Sequence, residues 1–422
     1  MSMAKIRTAL VIGGGVAGPV AAMALRKVGI EATVYEAYPP TANETGGSLG
    51  LASNGVAALE IVGAADAVRA IATPTPNMVM TSDGKTAVEG SAFPVDQEPL
   101  QLVMRAKLHQ VLHDAAVAAG VEFAYNKRLI GADEQEGRDE SGADAGGVTA
   151  RFADGTSATA DILIGADGIR STVRTLIDPN APGPNWTGML GFEAHGLDPA
   201  AVPAIDIEPG TTCFAFGKRA YYLYYRSADG KITFGANLPW KEHLTISQAR
   251  AVPVQQWIDI LRATYAGDVP GEQMTRALTP ENLATVGALH IMPSVPHWYR
   301  GRMVLVGDAV HAPSNSTGQG ASLAIESAIE LARTLRDLPD HTSAFAAYEG
   351  LRRGRVEKIT AVGRKTNHAK TPGPATKVFM RAVMPLMFKR FVEKNTGPAL
   401  RFRINFDEPV GGDIRQGALA AR

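Results

Sequence analysis

Residues 8–36 read TALVIGGGVAGPVAAMALRKVGIEATVYE, and the fold is decided here. Residues 8–12 are apolar and β-branched, the pattern of a buried parallel strand. Residues 16–28, rich in Ala, Leu and Met, predict a helix, and Gly29 ends it where glycine is favoured. Residues 32–35 predict a second strand, closed by Glu36. The first turn carries Gly13-x-Gly15-x-x-Gly18. In such a turn the first glycine permits the bend and the second lets backbone approach a pyrophosphate at the helix N-terminus. The third lets helix and strand pack closely. Glu36 stands 18 positions after Gly18, near the spacing of an acid that binds a ribose hydroxyl. A dinucleotide site is expected, and this turn alone does not tell NAD from FAD.

Two further stretches repeat the logic. Residues 161–174, DILIGADGIRSTVR, predict a buried strand ending at Asp167-Gly168 and a helix start. Residues 303–325, MVLVGDAVHAPSNSTGQGASLAI, predict a strand ending at Gly307-Asp308, then a glycine-rich loop running into a long helix. Each sets an aspartate at the carboxyl end of a strand, where open α/β sheets bind ligands. Three such strand ends exceed what a plain NAD site uses.

Between the second and third stretches the pattern changes. Residues 179–184, PNAPGP, read as a linker. Residues 211–216, 221–225 and 231–236 are aromatic and β-branched, with Asp229-Gly230 as a turn, and predict an antiparallel sheet. Residues 78–80 and 87–89 predict a hairpin, residues 39–50 a loop and residues 252–265 one helix. The expected division is 1–178 and 285–365 for a discontinuous nucleotide domain, with a small β insertion near 76–104. Residues 179–284 form the inserted sheet domain and 366–422 a helical tail.

Composition limits the rest. The 422 residues carry 42 Lys+Arg against 42 Asp+Glu, so the basic excess of a general nucleic-acid binder is missing. Cys213 is the single cysteine, which rules out an internal disulfide and a cysteine-rich metal site and fits a reducing cytoplasm. No metal is expected. No apolar run reaches the roughly 18 residues of a transmembrane helix. The basic, apolar start at residues 5–12 reads as a buried strand rather than a signal peptide.

The three motifs, in this order and on these elements, resemble the single-component FAD-dependent aromatic hydroxylases (class A flavoprotein monooxygenases, with a para-hydroxybenzoate hydroxylase-like fold). The resemblance spans roughly residues 5–360. It implies an α/β fold, with a Rossmann-like FAD-binding domain, an inserted antiparallel substrate domain and a C-terminal helical tail. It also implies FAD as cofactor and NADPH or NADH as reductant. By resemblance, Gly13, Gly15, Val16, Ala17 and Gly18 form the phosphate turn, and Glu36 binds the adenosine ribose. Leu129 faces the adenine, Arg105 lies near FAD, and Asp167-Gly168 serves FAD and the nicotinamide cofactor. Gly307-Asp308 holds the ribityl–pyrophosphate part. Pro313, Gly318, Gly320 and Ala321 lie beside the isoalloxazine. Two departures stand out. Residues 37–68 contain no Lys or Arg, where many relatives carry an arginine for the nicotinamide cofactor. The Trp-Arg-Gly pattern of the substrate sheet is here Ala194-His195-Gly196.

The implied reaction is hydroxylation or epoxidation of an apolar, aromatic or polyketide-like small molecule with O2, through a flavin C4a-hydroperoxide. No catalytic side chain is assigned, because the cofactor carries the chemistry. His195 could orient or deprotonate a phenol, or be a half-exposed strand residue. His311 reads first as a fixed element of its loop. Phe192, Phe214, Phe216, Tyr222, Tyr224 and Phe234 are candidates for a substrate pocket, although strand alternation requires part of the set to be core. Residues 377–392, KVFMRAVMPLMFKRFV, read as a helix pair broken at Pro385, or as a lid or membrane-surface contact. A monomer or homodimer is expected. The alternatives are a flavin-dependent halogenase or prenyl-chain reductase, an NAD-dependent dehydrogenase without flavin, and a non-enzymatic flavin-binding regulator. The halogenase stretch Trp-x-Trp-x-Ile-Pro is absent.

Overall fold

Strand Thr8–Ile12 lies inside a six-stranded sheet and is paired in parallel on both sides, with Glu31–Tyr35 and with Ile162–Gly165. The computed structural model describes residues 6–40, 47–82, 84–91, 94, 96–137, 146–205, 207–227, 229–368, 394 and 396–411. Outward from the first strand the sheet continues through Glu122–Ala124 on one side and Met303–Leu305 on the other, both parallel. Tyr299–Arg300 closes the second edge antiparallel. Strands 8–12 and 162–165 are almost wholly buried, as strands covered on both faces must be. Helix Ala17–Lys27 crosses from the first strand to the second, and Gly29 (φ +82°) turns the chain back. Helices Gly320–Asp337 and His341–His368 pack against this unit, and the first is buried from Ser322 to Leu335.

The second large sheet has seven strands, and all of its pairings are antiparallel except one. Its centre is the meander Thr211–Phe216, Tyr221–Arg226 and Ile232–Pro239. Strands Asn185–Leu197 and Leu283–Ile291 extend one side. The hairpin Asn77–Ser82 and Lys85–Ser91 extends the other, joined to 211–216 in parallel. One face is packed by helix Val254–Tyr265, whose Trp257, Ile258, Leu261 and Tyr265 are buried. Its opposite face turns toward the nucleotide-type unit. The small sheet Ser48–Leu51, Leu100–Met104 and Thr73–Thr75 stands between them.

Three local expectations are corrected. Residues 48–51, read as loop, form a strand because they pair with Leu100–Met104. The helix read over 252–265 starts at Val254, after Pro253, and a separate helix Ile246–Ala251 precedes it behind a Thr245/Gln248 capping box. The strand Asn185–Leu197 was not expected. Its three glycines mask the pattern, and long-range pairing on both edges supplies its order. Residues 377–392 lie outside the described residues.

Candidate active site

The glycine turn is built from its carbonyls outward. Gly13 has φ +108°, and a Cβ there would strike the carbonyl of Ala166. Its N–H donates to Tyr35 O at 2.9 Å. A Cβ on Gly18 would collide with the carbonyl of Gly13, so that glycine is required by packing. Gly15 differs. Its φ is not positive, and a Cβ there would meet only the ring of His109, at 3.7 Å. Protein contacts therefore do not explain the missing side chain, and space for a close-lying ligand does. Val16 precedes helix Ala17–Lys27, which has no side-chain N-cap and no acid in its first turn. Its free N–H groups and positive dipole end are left for an anion.

Glu36 sits at the end of the second strand. One of its oxygens accepts from Gly14 N–H at 2.7 Å and the other from Tyr38 N–H at 3.0 Å. Lys127 N–H donates to Glu36 O at 2.8 Å, which brings the start of strand Leu129–Gln135 beside it. Asp167 ends the third motif's strand. Its Oδ2 accepts from Thr172 and Val173 N–H at 2.7 and 3.1 Å, while its buried Oδ1 has no partner among the described residues. Burial pushes its carboxyl above the usual range, against these hydrogen bonds. Gly168 follows at φ +75°. The buried Arg174 donates to Ala309 O at 2.8 Å and Ile169 O at 2.9 Å, tying the second strand end to the third.

At that third strand end Gly307 (φ +61°) packs on Ala17, and Asp308 follows it. Burial raises the Asp308 carboxyl and the Arg105 charge lowers it. Arg105 opens helix Arg105–Ala118 and is exposed, with no side-chain hydrogen bond among the described residues. Pro313 lies against Gly320, Gly318 takes φ +59°, and helix Gly320–Asp337 begins, next to Ala321, with neither a side-chain cap nor an acid. The residues expected to hold a dinucleotide thus converge at the carboxyl ends of one parallel sheet. Two uncapped helix N-termini, a Gly15 that packing does not require, an Arg105 without a side-chain hydrogen bond among the described residues and an orphaned Asp167 oxygen fit FAD there.

Behind the glycine-rich loop is a buried ion cluster that sequence reading missed. Glu326 accepts from Arg352 at 2.6 Å, from Arg355 at 2.8 and 2.9 Å and from Asn54 Nδ2 at 2.7 Å. Asn54 also donates to Gln319 Oε1 at 2.9 Å, so the cluster grips the residue before Gly320. His311 Nε2 lies 2.8 Å from Ser327 Oγ, and burial with the nearby Arg352 lowers its pKa to about 3. It is a fixed, neutral element of the loop.

The pocket candidates divide by strand alternation. Phe192, Tyr222, Tyr224 and Phe234 pack with Trp257 and Tyr265 on the helix-covered face and are core. Phe214 and Phe216 lie on the opposite face with Tyr221 and Leu223. On that face Glu193 accepts from Ser48 N–H at 2.8 Å, and Tyr225 Oη lies 2.7 Å from Ser48 Oγ. His195 Nε2 stands 3.4 Å from Glu193, too misaligned for a hydrogen bond, and is buried with no hydrogen-bond partner. Glu193, Ser48 and Tyr225 escaped sequence reading. For Glu193 a signal existed, since it is two positions from His195 and must share its face. Among the described residues no group of His, Cys, Asp or Glu could hold a metal, and no helix is long and apolar enough to cross a membrane.

Comparison with known proteins gives the same answer. The family model described as FAD binding domain matches residues 7–361. The FAD-dependent urate hydroxylase of Mycolicibacterium vanbaalenii is 31% identical over 379 residues, 86% of this chain and 89% of the relative. The 6-hydroxynicotinate 3-monooxygenase of Bordetella bronchiseptica is 28% identical over 381 residues, 86% of this chain and 91% of the relative. Among solved structures, Klebsiella pneumoniae HpxO complexed with FAD and uric acid superposes with a TM-score of 0.78 at 24% identity, covering 93% of this chain and 98% of that one. The chain belongs to the FAD binding domain family, in its class A hydroxylase branch, and is an FAD-dependent monooxygenase.

Proposed function

We propose that this enzyme uses NAD(P)H and O2 to hydroxylate a small, electron-rich aromatic ring that carries a hydroxyl or similar group. Relatives are named for urate, 6-hydroxynicotinate and kynurenine, all ring compounds. In this reading Gly13, Gly15, Val16, Ala17 and Gly18 bind the pyrophosphate, Glu36 the ribose, and the Leu129 backbone the adenine. Arg105, Gly307 and Asp308 hold the ribityl–pyrophosphate part, and Asp167-Gly168 serves both dinucleotides. Pro313, Gly318, Gly320 and Ala321 line the flavin ring, where the helix N–H groups favour negative charge. Bound FAD supplies electron transfer and oxygen activation. The chain's own task is to exclude water and hold the substrate in register.

The observation that carries the substrate reading is the face of the second sheet opposite helix Val254–Tyr265. It joins apolar Phe214, Phe216 and Leu223 to Glu193, Tyr225 and the unpartnered Nε2 of His195. The aromatic residues hold a ring by its faces, while His195 accepts the proton of a ring hydroxyl and Glu193 stabilises the imidazolium. Ser48 ties this row to the cofactor side. The test is NADPH and NADH oxidation against a panel of hydroxylated aromatic and N-heteroaromatic compounds, with product mass measured. One oxygen gained per nicotinamide consumed supports the reading, and flavin reduction without an oxygenated product from any compound defeats it. His195→Gln should cut kcat/KM for phenolic compounds about a hundredfold, within the range of general-base contributions, while leaving FAD binding unchanged.

A further inference from the structure

His109 is the fifth residue of helix Arg105–Ala118, whose buried Leu108, Leu112 and Ala116 face the core. Its ring turns instead toward the glycine turn, with Nε2 and Cε1 3.7 and 3.9 Å from the Cβ position of Gly15. Both ring nitrogens are buried, and neither has a hydrogen-bond partner among the described residues. A neutral imidazole always presents one donor and one acceptor, and burying both unsatisfied carries a desolvation cost that leucine would avoid. At the same strand ends Asp167 Oδ1 is likewise buried without a hydrogen-bond partner among the described residues, and Arg105 has no side-chain hydrogen bond there.

We propose that His109 is a direct ligand of FAD, donating a hydrogen bond to a phosphate or ribityl oxygen from the wall opposite Gly15. Arg105 lies one helical turn earlier, so the two side chains share a face and act as a pair, one charged and one neutral. Burial, with the Arg105 charge beside it, holds the imidazole pKa down near about 4, and a neutral ring donates without adding a second buried cation. A flexible arginine supplies attraction, and a stiff imidazole fixes position. The inference rests on FAD binding and not on the oxygenation reading, so a failure to find substrate leaves it standing.

The experiment uses full-length apoprotein titrated with FAD, read by flavin fluorescence, for wild type, His109→Leu and His109→Gln. Melting temperatures are recorded with and without FAD. His109→Leu should raise the Kd for FAD about tenfold or more, while His109→Gln, which keeps a donor, stays within about threefold of wild type. Apo His109→Leu should melt at or above the wild-type temperature, because an unsatisfied polar group is gone, yet gain less from FAD. An unchanged Kd, or equal losses of melting temperature in apo and FAD-bound forms, would reduce His109 to packing and overturn the proposal. So would an unchanged Kd with a higher NADPH concentration for half-maximal anaerobic flavin reduction, which would give the ring to the second dinucleotide.

Discussion

Gly15 and Gly18 stand three positions apart and are glycines for different reasons. At Gly18 a Cβ would overlap a backbone carbonyl that has nowhere to move. Gly18→Ala should therefore destabilise the apoprotein by ~1–3 kcal/mol, the cost of overpacking, read as a lower urea midpoint with unchanged slope. At Gly15 the backbone accepts alanine, and a Cβ would make only ordinary contact with the His109 ring. Gly15→Ala should leave apo stability within ~0.5 kcal/mol and weaken FAD binding about tenfold. Equal losses of apo stability in both variants would show that Gly15 is also a packing glycine. The motif assigns the two glycines different roles, and their neighbours differ in the same sense.

At the scale of elements, the joint between helices Gly320–Asp337 and His341–His368 is ionic. Glu326 and Arg352 are wholly buried, and Arg355 nearly so. Burial pushes the Glu326 carboxyl up, but Arg352, Arg355 and Asn54 together pull it below its ordinary value of 4.5. A carboxylate with a depressed folded pKa gives stability that is complete above 4.5 and lost as pH falls through the folded value. Glu326→Gln should cost ~3–5 kcal/mol at neutral pH, since it leaves two arginines buried and underpaired. It should also loosen Asn54 and Gln319 and shift the bound flavin's absorption bands. A urea midpoint at the wild-type value would show the cluster to be neutral in energy. The same joint holds the C-terminal segment, with Arg355 donating to Ala399 O at 2.8 Å and stacking on Phe402.

At the scale of the whole molecule, the half-buried His109 and the buried His311 both weaken the apoprotein toward acid. His109 and His311 have folded pKa values near about 4 and about 3, against 6.5 unfolded. Below 6.5 the unfolded chain takes up protons that the folded chain refuses, so stability falls as pH drops from 6.5 toward these values. Each group contributes a slope of up to ~1.4 kcal/mol per pH unit. His109→Leu should flatten apo stability between pH 6 and 4 by about one such slope, and an unchanged slope would mean that His109 protonates freely when folded.

The sequence by itself determined the nucleotide-binding half of this protein. Its three strand ends are local patterns, in which apolar strand, glycine turn and helix are each set by neighbours within about ten residues. Gly13, Glu36, Asp167 and Asp308 could be placed at one sheet end because a parallel sheet with right-handed crossovers leaves few other arrangements. Tertiary structure alone decided which face of the second sheet meets the cofactor side. Tyr222 and Tyr225 look equivalent in sequence, yet one is core beneath Trp257 and Tyr265 while the other reaches Ser48, 177 positions earlier. It also decided that Glu326 would meet Arg352 and Arg355 and that His109 would face Gly15. Such contacts join residues far apart along the chain, and local propensity and periodicity carry no information about them.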